Sequence, residues 1–258
     1  MADTNVKLIE RLKELHLPAV RERFEEEAES ARKESLSYEG YLFELMTGEC
    51  EARYQNRIER LLKESRLPLE KGFENFDLKR LPATVAHHVA VLKEGSFLDR
   101  KENVLAFGNP GSGKTHLLCA IGLELVRQGR RVLFTTTALL VEDLLVAKHD
   151  LKLDRLLKRL AKYEALIIDD IGYVQQDREE MEVLFTLLAD RYERASIMLT
   201  SNLPFSKWEL IFKDPMTTAA AIDRLVHHSV ILELNLSSYR LEHSKSNKES
   251  KEKGGNGP

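Results

Sequence analysis

One stretch of this chain has residue types and spacing suited to gripping a polyphosphate. It is Gly108-Asn109-Pro110-Gly111-Ser112-Gly113-Lys114-Thr115, a G-x-x-x-x-G-K-T pattern. Its glycines let the backbone approach phosphate with no Cβ in the way. Successive N–H groups and a following helix N-terminus supply positive potential for the anion. Lys114 is then expected to reach the β- and γ-phosphates, and the Thr115 hydroxyl to hold Mg²⁺. A second group follows about fifty residues later, at the spacing this chemistry uses. Ala165-Leu166-Ile167-Ile168 is an apolar run that ends in Asp169-Asp170. Such a run reads as a strand buried on both faces, with two carboxylates where open α/β sheets bind ligands. Asp169 is expected to hold Mg²⁺, directly or through water. Asp170 is expected to orient or polarise the water that attacks the γ-phosphate. Asn202, after the apolar run 196–200, either hydrogen-bonds that phosphate or water, or simply makes a turn before Pro204.

These groups need elements to hold them. Asn103–Phe107 reads as the strand before the loop, and His116–Arg127 as the helix after it, with Leu117, Leu118, Ile121 and Leu125 at helical spacing. Further strands are expected at Arg131–Thr136, Ser196–Thr200 and Ser229–Leu234. Helices are expected at 138–147, 151–161, 176–192, 205–212 around Trp208, and from Asp214-Pro215 to about His227. Residues 5–67 read as entirely helical, with a stop near Pro18, a cap at Ser37 and a possible bend at Gly48. Pro68 ends this region, and Leu67–Asp77 is a connector carrying Phe73 and Phe76. The expected organisation is a helical domain over 1–67, a nucleotide domain over 68–242 and a disordered tail over 243–258.

With 258 residues and a net charge of −3, the chain is long enough for one large and one small domain, and its overall charge points to no nucleic acid. Any basic surface must be local. Arg53, Arg57 and Arg60 recur at i, i+4, i+7. Lys148, Lys152, Arg155 and Arg159, with Lys158 beside them, make a second row. Both suit backbone phosphates, and both suit an ordinary solvated face diluted by acids. His227 and His228 read as a helix end rather than a metal site, since no Cys or further His stands nearby. Two cysteines far apart, Cys50 and a packed Cys119, form no disulfide framework and suit a reducing cytoplasm. The start of the chain is charged, and no run has the length of a membrane span.

Five stretches resemble the AAA+ ATPases of the DnaA/DnaC/IstB group: Gly108–Leu117 (which adds His116 to the loop), Ile167–Asp170, Thr200–Asn202, Ala221–Leu225 and Ser238-Tyr239-Arg240. Asp223-Arg224-Leu225 with His227-His228, and the Ser-Tyr-Arg triplet, look most like IstB, the helper ATPase of insertion sequences. The resemblance covers about residues 35–242. It implies an α/β fold with a five-stranded parallel P-loop sheet flanked by helices, a small all-α N-terminal domain and little or no lid. It implies ATP and Mg²⁺ as cofactors and a ring or spiral homo-oligomer with ATP between subunits. Arg224, by itself a surface arginine, then matches the arginine finger that acts on the neighbour's γ-phosphate. Arg240 matches a weak phosphate sensor. Asp170 stands where many AAA+ proteins have Glu, which implies slow turnover. The pair of helices at 138–161 matches an inserted element that faces nucleic acid. The function implied is ATP-controlled, largely sequence-independent binding to DNA, together with recruitment and stimulation of a transposase.

The nearest rival is a helicase loader of the DnaC kind, which shares every nucleotide motif and differs in its partner. A small-molecule P-loop kinase would need an acceptor pocket and a lid arginine in cis, and the sequence offers neither. A non-hydrolysing nucleotide scaffold is opposed by intact Lys114, Asp169 and Asp170.

Overall fold

The computed structural model describes residues 2–172, 177–208 and 215–236. The expected roles of Ser238-Tyr239-Arg240 and of the 243–258 tail lie outside these, as do residue 176 and residues 209–212 of the helix expected at 205–212. The chain forms two compact units, 1–60 and 61–258. The division falls inside a helix, earlier than Pro68 suggests. Leu61 and Leu67 are buried in the apolar core of the second unit, so the end of that helix packs with the second unit.

The first unit holds α1 (Ala2–Glu14), α2 (Pro18–Glu34) and most of α3 (Tyr38–Ser65). Its core is Leu12, Val20, Phe24 and Leu45. Ser37 caps α3 by accepting from the Gly40 N–H at 3.1 Å, and α3 then runs through Gly48 without a break. The start of α2 has no cap of its own. Glu49, 3% exposed, supplies one by accepting from Ala19 N at 2.8 Å and Val20 N at 3.2 Å. Burial works to raise the Glu49 pKa, but hydrogen bonds from Arg53, Val20 and Ala19 outweigh it, so the carboxyl sits below its ordinary range.

The second unit is a five-stranded parallel sheet in the order β2-β3-β4-β1-β5. Its strands are β1 (Asn103–Gly108), β2 (Val132–Thr136), β3 (Ala165–Ile171), β4 (Ser196–Ser201) and β5 (Ser229–Leu234). Strand alternation sorts side chains to two cores. Val104, Ala106, Ile167 and Met198 face one, with α4 (Ala83–Lys93), α5 (Ser96–Asp99) and α6 (Lys114–Arg127). Leu105, Leu166, Ile168 and Leu199 face the other, with α7 (Thr137–His149), α8 (Leu153–Leu160), α9 (Arg178–Arg191) and α10 (Pro215–Val226). Trp208, fully buried, sits in this second core against Phe107 and Phe205. Asp177 caps α9 in a reciprocal box with Glu180. Cys119 is buried in α6, and burial pushes its thiol up to about 12, so it is neutral and unreactive near pH 7. Among the described residues no helix is long and apolar enough to cross a membrane.

Candidate functional site

A parallel sheet sends the C-terminal ends of its strands to one edge, and the groups singled out in the sequence meet there. β1 delivers the glycine loop. At Gly108, with φ +152°, a Cβ would lie 2.2 Å from the Leu234 carbonyl oxygen of the paired β5. At Gly113, with φ +94°, a Cβ would press on the Phe76 ring at 3.1 Å. Both places therefore require glycine. α6 begins on the next residue, so its unpaired N–H groups point into the loop.

Lys114 is buried, and its ammonium donates to Gly108 O at 2.9 Å, Asn109 O at 2.9 Å and Asn202 Oδ1 at 2.7 Å. The fold thus joins Asn202, at the end of β4, to the lysine of the loop. Thr115 Oγ1 donates to Asp169 Oδ1 at 2.8 Å, and Thr200 Oγ1 donates to the same oxygen at 2.7 Å. The Asp170 N–H donates to Thr200 Oγ1 at 2.8 Å, so one hydroxyl ties both acids to β4. Both carboxylates lie within a register shift between Ile168 and Ile171, with Asp170 at φ +60°. A bulge of this kind re-aims a side chain. Asp169 stays buried, while Asp170 is exposed and lines the cavity beside the loop. Holding a non-glycine residue there costs of order 1 kcal/mol, an outlay typical of functional positions.

That cavity is about 440 Å³, within the range of small-molecule sites. Pro110 through His116 form one wall, and Lys71, Asn75, Phe76, Asp77 and Arg80 form another. The second wall is what sequence reasoning missed, having read it as a connector. His116 holds it in place: its Nε2 lies 3.0 Å from Gly72 O, and its ring meets Phe76 edge-on at 5.1 Å. His116 therefore lines the cavity as an anchor for that wall. The residues fit a triphosphate with Mg²⁺. Ser112 Oγ is buried with no partner and lines the cavity, and the Thr115–Asp169 pair offers the oxygen donors Mg²⁺ requires.

Arg224 is not brought to this edge. Its carbonyl and that of Leu225 accept from Asn103 Nδ2 at 3.4 and 3.0 Å, beside the N-terminal end of β1. The loop lies past the other end of that strand, roughly 17 Å away at the rise of a parallel strand. The guanidinium instead sits 4.7 Å from the centroid of the Phe185 ring and donates to Ala220 O at 3.0 Å.

The basic rows fare differently from each other. Arg53, Arg57 and Arg60 are exposed along the unbroken α3, with Arg53 bound to Glu49 at 2.8 Å and to the His16 carbonyl. The second row is divided by a turn that sets Lys148 on a different helix from Arg155 and Arg159. α7 ends at His149 and α8 begins at Leu153, with Leu151 at φ +56° between them. Lys148 pairs with Glu182 at 3.1 Å, Lys152 with Asp150 at 2.9 Å and Lys158 with Asp154 at 2.8 Å. Arg155 and Arg159 stay exposed on α8 and line one hollow with Lys152, Lys158 and Lys162.

Residues 10–247 match the family model described as IstB-like ATP binding protein. The chain is 44% identical over 230 residues to an insertion sequence ATP-binding protein of Sinorhizobium fredii, covering 89% of this chain and 77% of that one. It is 41% identical over 235 residues to the IS21 ATP-binding protein of Pseudomonas aeruginosa, covering 91% and 88%. Among solved structures, the DnaC helicase loader superposes with a TM-score of 0.55 at 16% identity, over 65% of this chain and 98% of that one. The AMPPCP-bound DnaA of Aquifex aeolicus superposes with a TM-score of 0.55 at 19% identity, over 72% and 57%. At such identities these two likenesses speak for the fold.

Proposed function

The chain belongs to the IstB-like ATP-binding proteins, with an AAA+ fold, and from that premise we propose an ATP-dependent DNA-binding regulator that assembles on DNA and recruits a transposase. The observation that carries the reading is the junction of three strand ends at one point. Lys114 of the loop touches Asn202, just past the end of β4, and Thr115 touches Asp169 of β3. The insertion-sequence context of the relatives at 41–44% identity favours transposition over helicase loading.

In this proposal Lys114 neutralises the β- and γ-phosphates, and the loop N–H groups and Ser112 hydroxyl complete the grip. Thr115 and Asp169 hold Mg²⁺, which supplies neutralisation of charge on the phosphates. Asp170 orients the attacking water and takes its proton, and Asn202 fixes the γ-phosphate against Lys114. Phe76 and its neighbours form the side of the cavity that takes the base. Arg224 acts on the ATP of an adjacent subunit. Duplex DNA is contacted by the exposed arginines of α3 in the first unit and, as a separate contact, by those of α8 in the second, with Arg155 and Arg159 as the principal cations of α8.

Replacing Asp170 with Asn keeps the shape and removes the base. ATP binding is expected to persist while turnover falls about 100-fold, the usual worth of a positioned base. Steady-state phosphate release beside equilibrium binding of ATP checks this, and normal turnover would remove Asp170 from the mechanism. The whole reading is tested by ATPase rate against protein concentration, with and without duplex DNA. The rate per subunit should rise with concentration and rise further with DNA. A flat rate indifferent to DNA would sink the assembly model.

A further inference from the structure

His227 and His228 gain a neighbour that sequence spacing hides. Glu193, in the turn between α9 and β4, comes to the start of β5, and one ligand atom from each of the three residues lies within 4.8 Å of the others. Glu193 holds φ +57°, in the left-handed region. We propose that Glu193, His227 and His228 form a divalent transition-metal site, with Zn²⁺ as the ion its chemistry suits best.

Two imidazoles and one carboxylate are a known three-ligand set for zinc, leaving a fourth position open to water or a group from outside. Mg²⁺ and Ca²⁺ prefer oxygen throughout, which excludes them from a site with two nitrogens. In four-coordinate zinc, ligand atoms stand about 3.4 Å apart, given bond lengths near 2.1 Å. All three side chains are exposed, so small rotations close the gap without disturbing a packed core. The Tyr192 hydroxyl lies 3.0 Å from His227 Nδ1. When its oxygen accepts from Nδ1–H, His227 Nε2 keeps its lone pair for a metal, and Tyr192 is then a positioning residue of the kind metal-binding histidines use. The neighbouring hollow also carries the cations Arg100, Lys101 and Arg224, of which Arg100 is held by Glu102 through two 2.8 Å hydrogen bonds and Arg224 rests on Phe185.

The site is independent of the nucleotide reading, and its test is a binding measurement. Zn²⁺ alone is titrated into the full chain against a chelating dye. One ion per chain is expected in the micromolar range of free zinc. Glu193→Gln and His228→Ala should each weaken binding at least 10-fold, and Tyr192→Phe about 10-fold. Cys50→Ser, which removes the exposed thiol, and Lys114→Ala, which removes the nucleotide lysine, should leave it unchanged. Absence of zinc binding in the unaltered chain overturns the proposal. So does full affinity in Glu193→Gln, an exposed substitution that leaves every packed residue in place, or loss of binding in Cys50→Ser.

Discussion

Lys114→Ala is expected to lower ATP affinity about 10³-fold, measured by titration calorimetry with a non-hydrolysable analogue. The lysine is 4% exposed and donates to two backbone carbonyls and an amide at the rim of the loop. Its ammonium is thus held in place where the phosphates of a nucleotide would lie, and a triphosphate would add a buried, charge-assisted partner. Truncating one partner of such a buried pair costs 2–5 kcal/mol, and about 4 kcal/mol corresponds to the loss expected here. Asn202→Ala, which keeps the lysine and removes only one of its acceptors, should cost less in affinity than Lys114→Ala. If the variant bound the analogue as tightly as the unaltered protein, the glycine loop would be a turn and nothing more. Loss of affinity in a chain that keeps its helical signal and its melting transition would place the effect in the site rather than in folding.

Much of this arrangement was legible because its parts are local. The glycine spacing, the apolar strand closed by Asp169-Asp170 and the helical period after Lys114 each occupy a few consecutive residues, and local patterns carry fold and phosphate chemistry together. What depends on distant parts of the chain was not legible. Phe76, Asp77 and Arg80 face the loop because His116 and Gly72 join, and no spacing announces a contact across 44 residues. Thr200 reads as one more residue of a buried strand, yet its hydroxyl orders both acids of β3. Leu151, at positive φ, turns the chain between two helices, so Lys148 on α7 does not share a helical face with Arg155 and Arg159 on α8. Glu193 escaped notice beside His227 and His228 because only the pairing of β4 and β5 with β1 brings the starts of those strands together.

Arg224→Ala is expected to lower turnover about 10³-fold while leaving ATP affinity nearly intact, the scale set by arginine fingers in phosphoryl transfer. The geometry decides how the loss must appear. Arg224 belongs to the end of the sheet where β1 begins, and the phosphate loop to the end where it finishes. An arginine side chain cannot span the roughly 17 Å of strand between them. If Arg224 reaches a γ-phosphate, that phosphate belongs to another subunit. Two inactive chains should therefore restore each other. Lys114→Ala keeps a working Arg224 and lacks a nucleotide site; Arg224→Ala keeps the site and lacks the arginine. Mixed, they create interfaces in which an intact site meets an intact arginine, and phosphate release should recover with a maximum at an intermediate ratio. The present contacts of Arg224 are weak enough to be exchanged, since a ring face and one carbonyl hold it at about 1 kcal/mol each. Phe185→Leu, which takes away the ring, should leave turnover intact or raise it. Recovery at no mixing ratio, with both variants folded and able to assemble with the unaltered chain, would make Arg224 a surface residue and return the mechanism to a single subunit.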